Sequence, residues 1–143
     1  MRWSDEIGDL ATALSACQGE LRRVDKGAIN PHFGSSYATL GDLLDAVRLP
    51  MANHGLSVLQ APLYEPSSED RRPGSLVLTT RILHSSGQWV EDDLSLPVQK
   101  PTPQGVASTI TYARRYHLGS LLGIAEQDGD DDAGDDAQRV EVD

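Results

Sequence analysis

The chain has 143 residues, enough for one domain with a core of its own and too few for two. No apolar run reaches the roughly 20 residues that cross a bilayer, Met1-Arg2-Trp3-Ser4-Asp5-Glu6 lacks the charged-then-apolar order of a secretory signal, and the single Cys17 has no internal disulfide partner, so a soluble intracellular protein is expected. The net charge of −10 argues against a nucleic-acid partner only until it is mapped: residues 126–143 hold nine acidic side chains and one basic, net −8, while residues 1–125 hold 13 acidic and 11 basic, net −2.

Ile7, Leu10, Leu14, Cys17, Leu21 and Val24 recur at spacings of three and four. They predict a helix with one stripe toward a core, closed near Lys26-Gly27, where glycine admits the left-handed turn that ends a helix. Arg22 and Lys26, four apart, share a face beside that stripe, where a solvated rim is the plainest reading. The segment Asn30-Pro31-His32-Phe33-Gly34-Ser35-Ser36-Tyr37 is rich in turn formers and reads as an ordered loop. Thr39 and Asp42 resemble a capping box ahead of a second helical stripe, Leu40, Leu43, Leu44, Val47 and Met51. Pro50 predicts a kink or break before Gly55 stops the turn.

From Gly55 the period changes. Leu56-Ser57-Val58-Leu59-Gln60 and the run from Ser75 to Leu83 read as strands, with Pro62 to Gly74 as a long mobile hairpin tip between them. After the turn His84-Ser85-Ser86-Gly87-Gln88 comes a third strand, with Val90, Leu94, Leu96 and Val98 on one face and Trp89, Glu91, Asp93 and Ser95 on the other. Asp92 interrupts the apolar face and is placed near an edge. Thr102 as cap and Pro103 at the first position open a last helix. Val106, Ile110, Ala113, His117 and Leu121 line its core side, and Gln104, Ser108, Thr111 and Arg115, flanked by Tyr112, its outer side. The expected fold is α+β: two N-terminal helices, a three-stranded antiparallel sheet and a C-terminal helix in one domain over residues 1–125. Residues 126–143, without apolar period, are expected to form a disordered acidic tail.

Most catalytic constellations fail on spacing. His32, His54, His84 and His117 lie on different elements with no metal-ligand spacing, and His117 reads as a hydrogen-bonded core residue. Cys17 sits on an apolar stripe, where it behaves as a small hydrophobe. Nothing matches a phosphate-binding glycine loop, so ATP-driven chemistry is disfavoured. Glu91-Asp92-Asp93 could serve a nuclease, but two-metal chemistry needs carboxylates converging from separate elements, and a solvated edge strand is the simpler reading. A calcium loop starting at Asp128 fails at Ala133 and Arg139, where glycine and glutamate are required. Spacing thus supports no metal or nucleotide-cofactor site, and what is left is a binding pattern.

The remaining pattern is Thr109-Ile110-Thr111-Tyr112-Ala113-Arg114-Arg115-Tyr116, two guanidinium groups among two tyrosines on one helix. Arginine meets phosphate with a flat fork and tyrosine offers a face to a base, which suits single-stranded nucleic acid. The same residues also fit half-buried packing tyrosines and arginines paired with acids such as Asp92 or Asp93; chemistry alone leaves both open.

The stretch Gln104 to Leu118, followed by Leu121-Leu122-Gly123-Ile124-Ala125 and an Asp-rich run, resembles the signature of the Erf (essential recombination function) family of phage single-strand annealing proteins. Upstream, Lys26, Asn30-Pro31-His32-Phe33, Tyr37-Ala38-Thr39-Leu40, Ala46-Val47-Arg48 and Asn53-His54-Gly55-Leu56-Ser57-Val58 occur in the family's order, so the resemblance covers roughly residues 10 to 132. It departs at His117 and Gly119, where small residues are commoner, and at Gly34, where a basic one is.

The resemblance implies a β-β-β-α core and ATP-independent binding and annealing of single-stranded DNA in phage recombination or repair, by a homo-oligomeric ring or filament in the host cytoplasm. A single-strand-binding protein or exonuclease would be the natural protein partner. On that reading Arg114 and Arg115 contact phosphates, Arg22, Arg23 and Lys26 add charge, Tyr112 or Tyr116 stacks or shapes the groove, and Ser108 and Thr111 donate to the backbone. Asn30 either contacts the strand or orders its own loop. The alternative is a non-enzymatic adaptor that docks a replication or repair partner through its acidic tail. The tail itself would compete with DNA near Arg114 and Arg115 or recruit a basic partner.

Overall fold

The computed structural model describes residues 1–21 and 39–125. In chain order it contains β1 (Arg2–Trp3), α1 (Gly8–Glu20), α2 (Leu40–Asn53), β2 (Leu56–Glu65), β3 (Gly74–His84), β4 (Trp89–Val98) and α3 (Pro103–Leu122). The strands form one antiparallel sheet in the order β1-β4-β3-β2. The expected helix-helix-sheet-helix order holds, with a fourth strand added at the N-terminus. The loop at 30–37, the expected helix end at Lys26-Gly27 and the acidic tail lie outside the described residues.

Helix α1 buries Leu10, Ala13 and Cys17 and ends at Glu20, earlier than its apolar stripe suggests. Gly19 in the last turn propagates a helix poorly, and Leu21 turns to extended backbone with ψ 131°. No side chain of its own caps the start of α1; Gln88, from the turn between β3 and β4, accepts from the Leu10 N–H at 2.9 Å instead. The capping box of α2 is present: Thr39 Oγ1 accepts from Asp42 N–H at 3.1 Å, and the Asp42 carboxylate accepts from Thr39 N–H at 2.8 Å. Of the expected kink or break, the break does not occur: α2 continues through Pro50 to Asn53. Proline there leaves only the Ala46 carbonyl without its helical donor, Ala46 is exposed to water, and buried Met51 holds the last turn to the core. Gly55 then stops the turn at φ 70°.

Strand β2 also outruns its expected length, reaching Glu65, so the tip between β2 and β3 shrinks to residues 66–73 and carries hydrogen-bonded turns. Since β2 is an edge strand, it tolerates Pro62 within its ladder.

All three helices pack on one face of the sheet, where the even-numbered residues of β3 and β4 point. Leu10, Cys17, Leu43, Val47, Met51, Leu56, Ile82, Val90, Leu118 and Leu122 form one core cluster. Leu76, Leu78, Val98 and Ala113 form a second under the first half of α3. His117 is buried there at 5 % exposure, but makes no hydrogen bond. The carboxylate facing it, Asp92, lies 3.7 Å away and is also held by the Met1 ammonium at 3.4 Å.

Strand β1 is fixed by charge. The Arg2 guanidinium donates to both carboxylate oxygens of Asp93, at 2.9 and 3.0 Å, and to Glu91 at 2.9 Å; Arg81 takes the other Glu91 oxygen at 2.8 Å. With Thr79 also donating at 2.7 Å, this ladder holds Asp93 down at a pKa of about 2 and Glu91 below the usual carboxylate range. The Arg2 hydrogen bond is the largest cause for Asp93, the Arg81 hydrogen bond for Glu91.

Helix α3 begins as expected, Thr102 Oγ1 accepting from Gly105 N–H at 3.0 Å with Pro103 in the first turn. Gly105 is required by contact: a Cβ there would lie 2.1 Å from the Lys100 carbonyl oxygen. Gly123, at φ 69°, closes the helix.

Replacing Gly105 by Ala should therefore destabilise the protein by about 1–3 kcal/mol, the usual cost of overpacking, read as a lower thermal midpoint; an unchanged midpoint would contradict the close approach. Because Asp93 titrates below its ordinary value, its contribution is fully present above pH 3.8 and is lost as the pH falls toward about 2. Asp93→Asn should flatten that acid limb in melts across pH, and a limb of undiminished slope would assign it to other carboxylates.

Candidate nucleic-acid interface

The outer side of α3 carries the arginine and tyrosine residues of the Thr109–Tyr116 pattern. Gln104, Ser108, Thr111, Tyr112 and Tyr116 are exposed, whereas Arg114 and Arg115 are half-buried at the flanks. Arg115, expected on the outer side, is thus half-buried, with its guanidinium beside the Tyr112 and Tyr116 rings. Tyr112 and Tyr116, one turn apart, bring their ring centroids to 4.4 Å at a tilt of 41°. They remain 51 % and 46 % exposed, large aromatic surfaces open to solvent. The Arg115 guanidinium carbon sits 4.8 Å from the Tyr116 ring and 5.8 Å from the Tyr112 ring, within cation–π range of both. Charge and aromatic faces therefore form one cluster.

Arg114 is held from below by Gln60, a residue that the sequence pattern does not single out. The Gln60 side-chain amide donates to the Arg114 carbonyl at 3.2 Å and accepts from Arg114 Nε, also at 3.2 Å. The same amide nitrogen donates to Oγ1 of fully buried Thr80 at 3.1 Å. One glutamine thus ties β2, β3 and α3 together and fixes the plane of the guanidinium. Its signal in the sequence is a polar residue in register with Leu56 and Val58 on the helix-facing side of β2, where an apolar one is expected.

Arg114 forms no ion pair among the described residues, and its remaining guanidinium N–H groups have no hydrogen-bond partner there. The carboxylates that might have neutralised it are engaged elsewhere: Asp93 with Arg2 and Thr79, Glu91 with Arg2 and Arg81, Asp92 with the Met1 ammonium. Those three side chains are spread over both faces of β4 and each is paired with a cation. No group of three or more His, Cys, Asp and Glu side chains able to hold a metal occurs among the described residues. Cys17 is fully buried, and burial pushes its thiol pKa up, away from thiolate chemistry.

Hydroxyl donors are fewer than expected. Thr111 Oγ1 donates to the Ala107 carbonyl at 3.2 Å and Thr109 Oγ1 to Gly105 at 2.9 Å, which commits both protons to the helix. Arg22, Arg23, Lys26 and Asn30 lie outside the described residues. No described helix is long and apolar enough to cross a membrane.

Compared with known proteins, the chain matches the family model described as ERF superfamily over residues 10–141. No curated protein and no solved structure matches it.

Proposed function

The chain belongs to the ERF superfamily, and from that membership, which points to recombination by single-strand annealing, we propose that it binds single-stranded DNA along α3 and pairs complementary strands without ATP. The observation that carries this reading is Arg114: a guanidinium clamped by Gln60, unneutralised by any described carboxylate, one residue from an arginine stacked on two exposed tyrosines. A fixed fork next to open ring faces offers the two contacts a single strand accepts regardless of sequence, phosphate pairing and base stacking.

Annealing requires that the backbone be gripped while base edges stay free, so phosphate contacts should dominate. Arg114 and Arg115 make them, and Tyr112 and Tyr116 hold one base by its face. Ser108 adds a hydroxyl; Thr111 acts through its position beside the tyrosines, its proton being used within the helix. No bond is made or broken, so the protein is not an enzyme and needs no cofactor. Few cations per chain imply that useful affinity comes from many copies along one strand, in a ring or filament in the host cytoplasm.

Replacing Arg114 and Arg115 together by Ala should weaken oligo-dT binding and reduce the slope of log affinity against log salt by about 0.7 for each phosphate that the protein no longer neutralises. A folded double variant with the parental slope would remove these arginines from the interface.

A further inference from the structure

The tip between β2 and β3 and the segment that follows β4 border an open cavity of about 480 Å³, lined among others by Tyr64, Pro66, Arg71, Pro73, Gln99 and Pro101. That volume lies within the range of small-molecule sites. Its shape depends on Gly74, where a Cβ would lie 2.9 Å from the Tyr64 ring and 2.7 Å from the Glu65 carbonyl oxygen; only glycine lets the ring settle on the backbone.

Two arginines reach this cavity, and they are in different states. Arg72 donates to Glu69 at 3.1 Å, whereas Arg71 has no ion pair or hydrogen bond among the described residues. Arg71 also has φ 71°, which makes it the one non-glycine residue of the described chain in the left-handed region. An L residue bearing a long side chain is disfavoured there, and glycine would be the ordinary occupant of such a turn. Arg71 thus combines a strained backbone with a guanidinium that no described carboxylate pairs.

The lining has a mixed character. Glu69 and Asp70 balance Arg71 and Arg72 in formal charge, and the tyrosine and prolines supply apolar walls. Such a site favours a ligand that joins one anionic group to a flat, weakly polar body over a bare inorganic anion. The cavity also lies on the same strand as the α3 site: Gln60, which holds Arg114, and Tyr64 are four residues apart on the same face of β2, about 13 Å along the edge of the sheet.

We propose that this cavity takes one nucleotide of the bound strand, with Arg71 on its phosphate and the wall formed by Tyr64 and the prolines beside its sugar and base. The proposal rests on the α3 site reading and extends it into a path along the β2 edge, from Tyr116 and Arg114 past Gln60 to Arg71. The decisive variant is Arg71→Gly in the full chain, because glycine adopts the φ of this turn without strain and the fold is kept. Oligo-dT binding followed by anisotropy across a salt series should show a slope reduced by about 0.7, the equivalent of one phosphate, with a thermal midpoint equal to or above the parent's. If Arg71→Gly keeps the parental slope while Arg114→Ala lowers it, the cavity is off the strand path and this proposal fails alone. If neither variant lowers the slope, the α3 reading fails and the extension falls with it.

Discussion

The close approach of α3 to the end of β4 governs the rest of the molecule. Gly105 brings the first turn of the helix against the Lys100 main chain, and the helix packs over Leu76, Leu78 and Val98 of β3 and β4. Laid there, α3 buries Ala113, His117, Leu118 and Leu122 and leaves the helix-facing side of β2 beyond Val58 partly open. Gln60 sits in that opening and reaches both the main chain and the guanidinium of Arg114. Without that clamp the arginine would be one more solvated side chain with several rotamers to give up on binding.

The second consequence is a division of charge between the two faces of the sheet. On the open face, Arg2, Arg81, Glu91 and Asp93 neutralise one another in a continuous ladder, reinforced by Arg81 stacked 3.9 Å from the Trp89 ring. These arginines are occupied and offer little to a phosphate. On the helix face, Arg114 forms no ion pair among the described residues. A chain of net charge −10 can thus present a locally positive strip, because half of its acids are either in residues 126–143 or bound to the cations of the ladder. The formal charge describes the solubility of the whole chain and says little about the surface along α3.

Much of this is legible in the sequence because it is periodic. The stripe of α2, the alternation in β4 and the cap residues Thr39 and Thr102 occupy the positions that their spacing implies. What escapes has no period. Strand β1 is two residues long and exists because one guanidinium meets two carboxylates some 90 positions away. The continuation of α2 through Pro50 depends on tertiary contacts at Met51, and Pro62 lies in a strand because that strand is an edge. In the α3 site the arginines and tyrosines can be named from composition. The residue that orients them cannot, since Gln60 is remote in sequence and announces itself only as a polar break in an apolar register. His117 lies in the core as its stripe position implies, yet its expected hydrogen bond is absent because Asp92 lies 3.7 Å away, beyond hydrogen-bond range, and also faces the Met1 ammonium.

If the chain joins complementary single strands by gripping their backbones, the activity must appear with protein and DNA alone. The decisive assay mixes two labelled complementary oligonucleotides with the full chain in the absence of ATP and follows duplex formation over time. Pairing should outrun the spontaneous rate, with both strands intact at the end. A rate equal to that of the oligonucleotides alone, under conditions where the protein is folded, would refute annealing as its function.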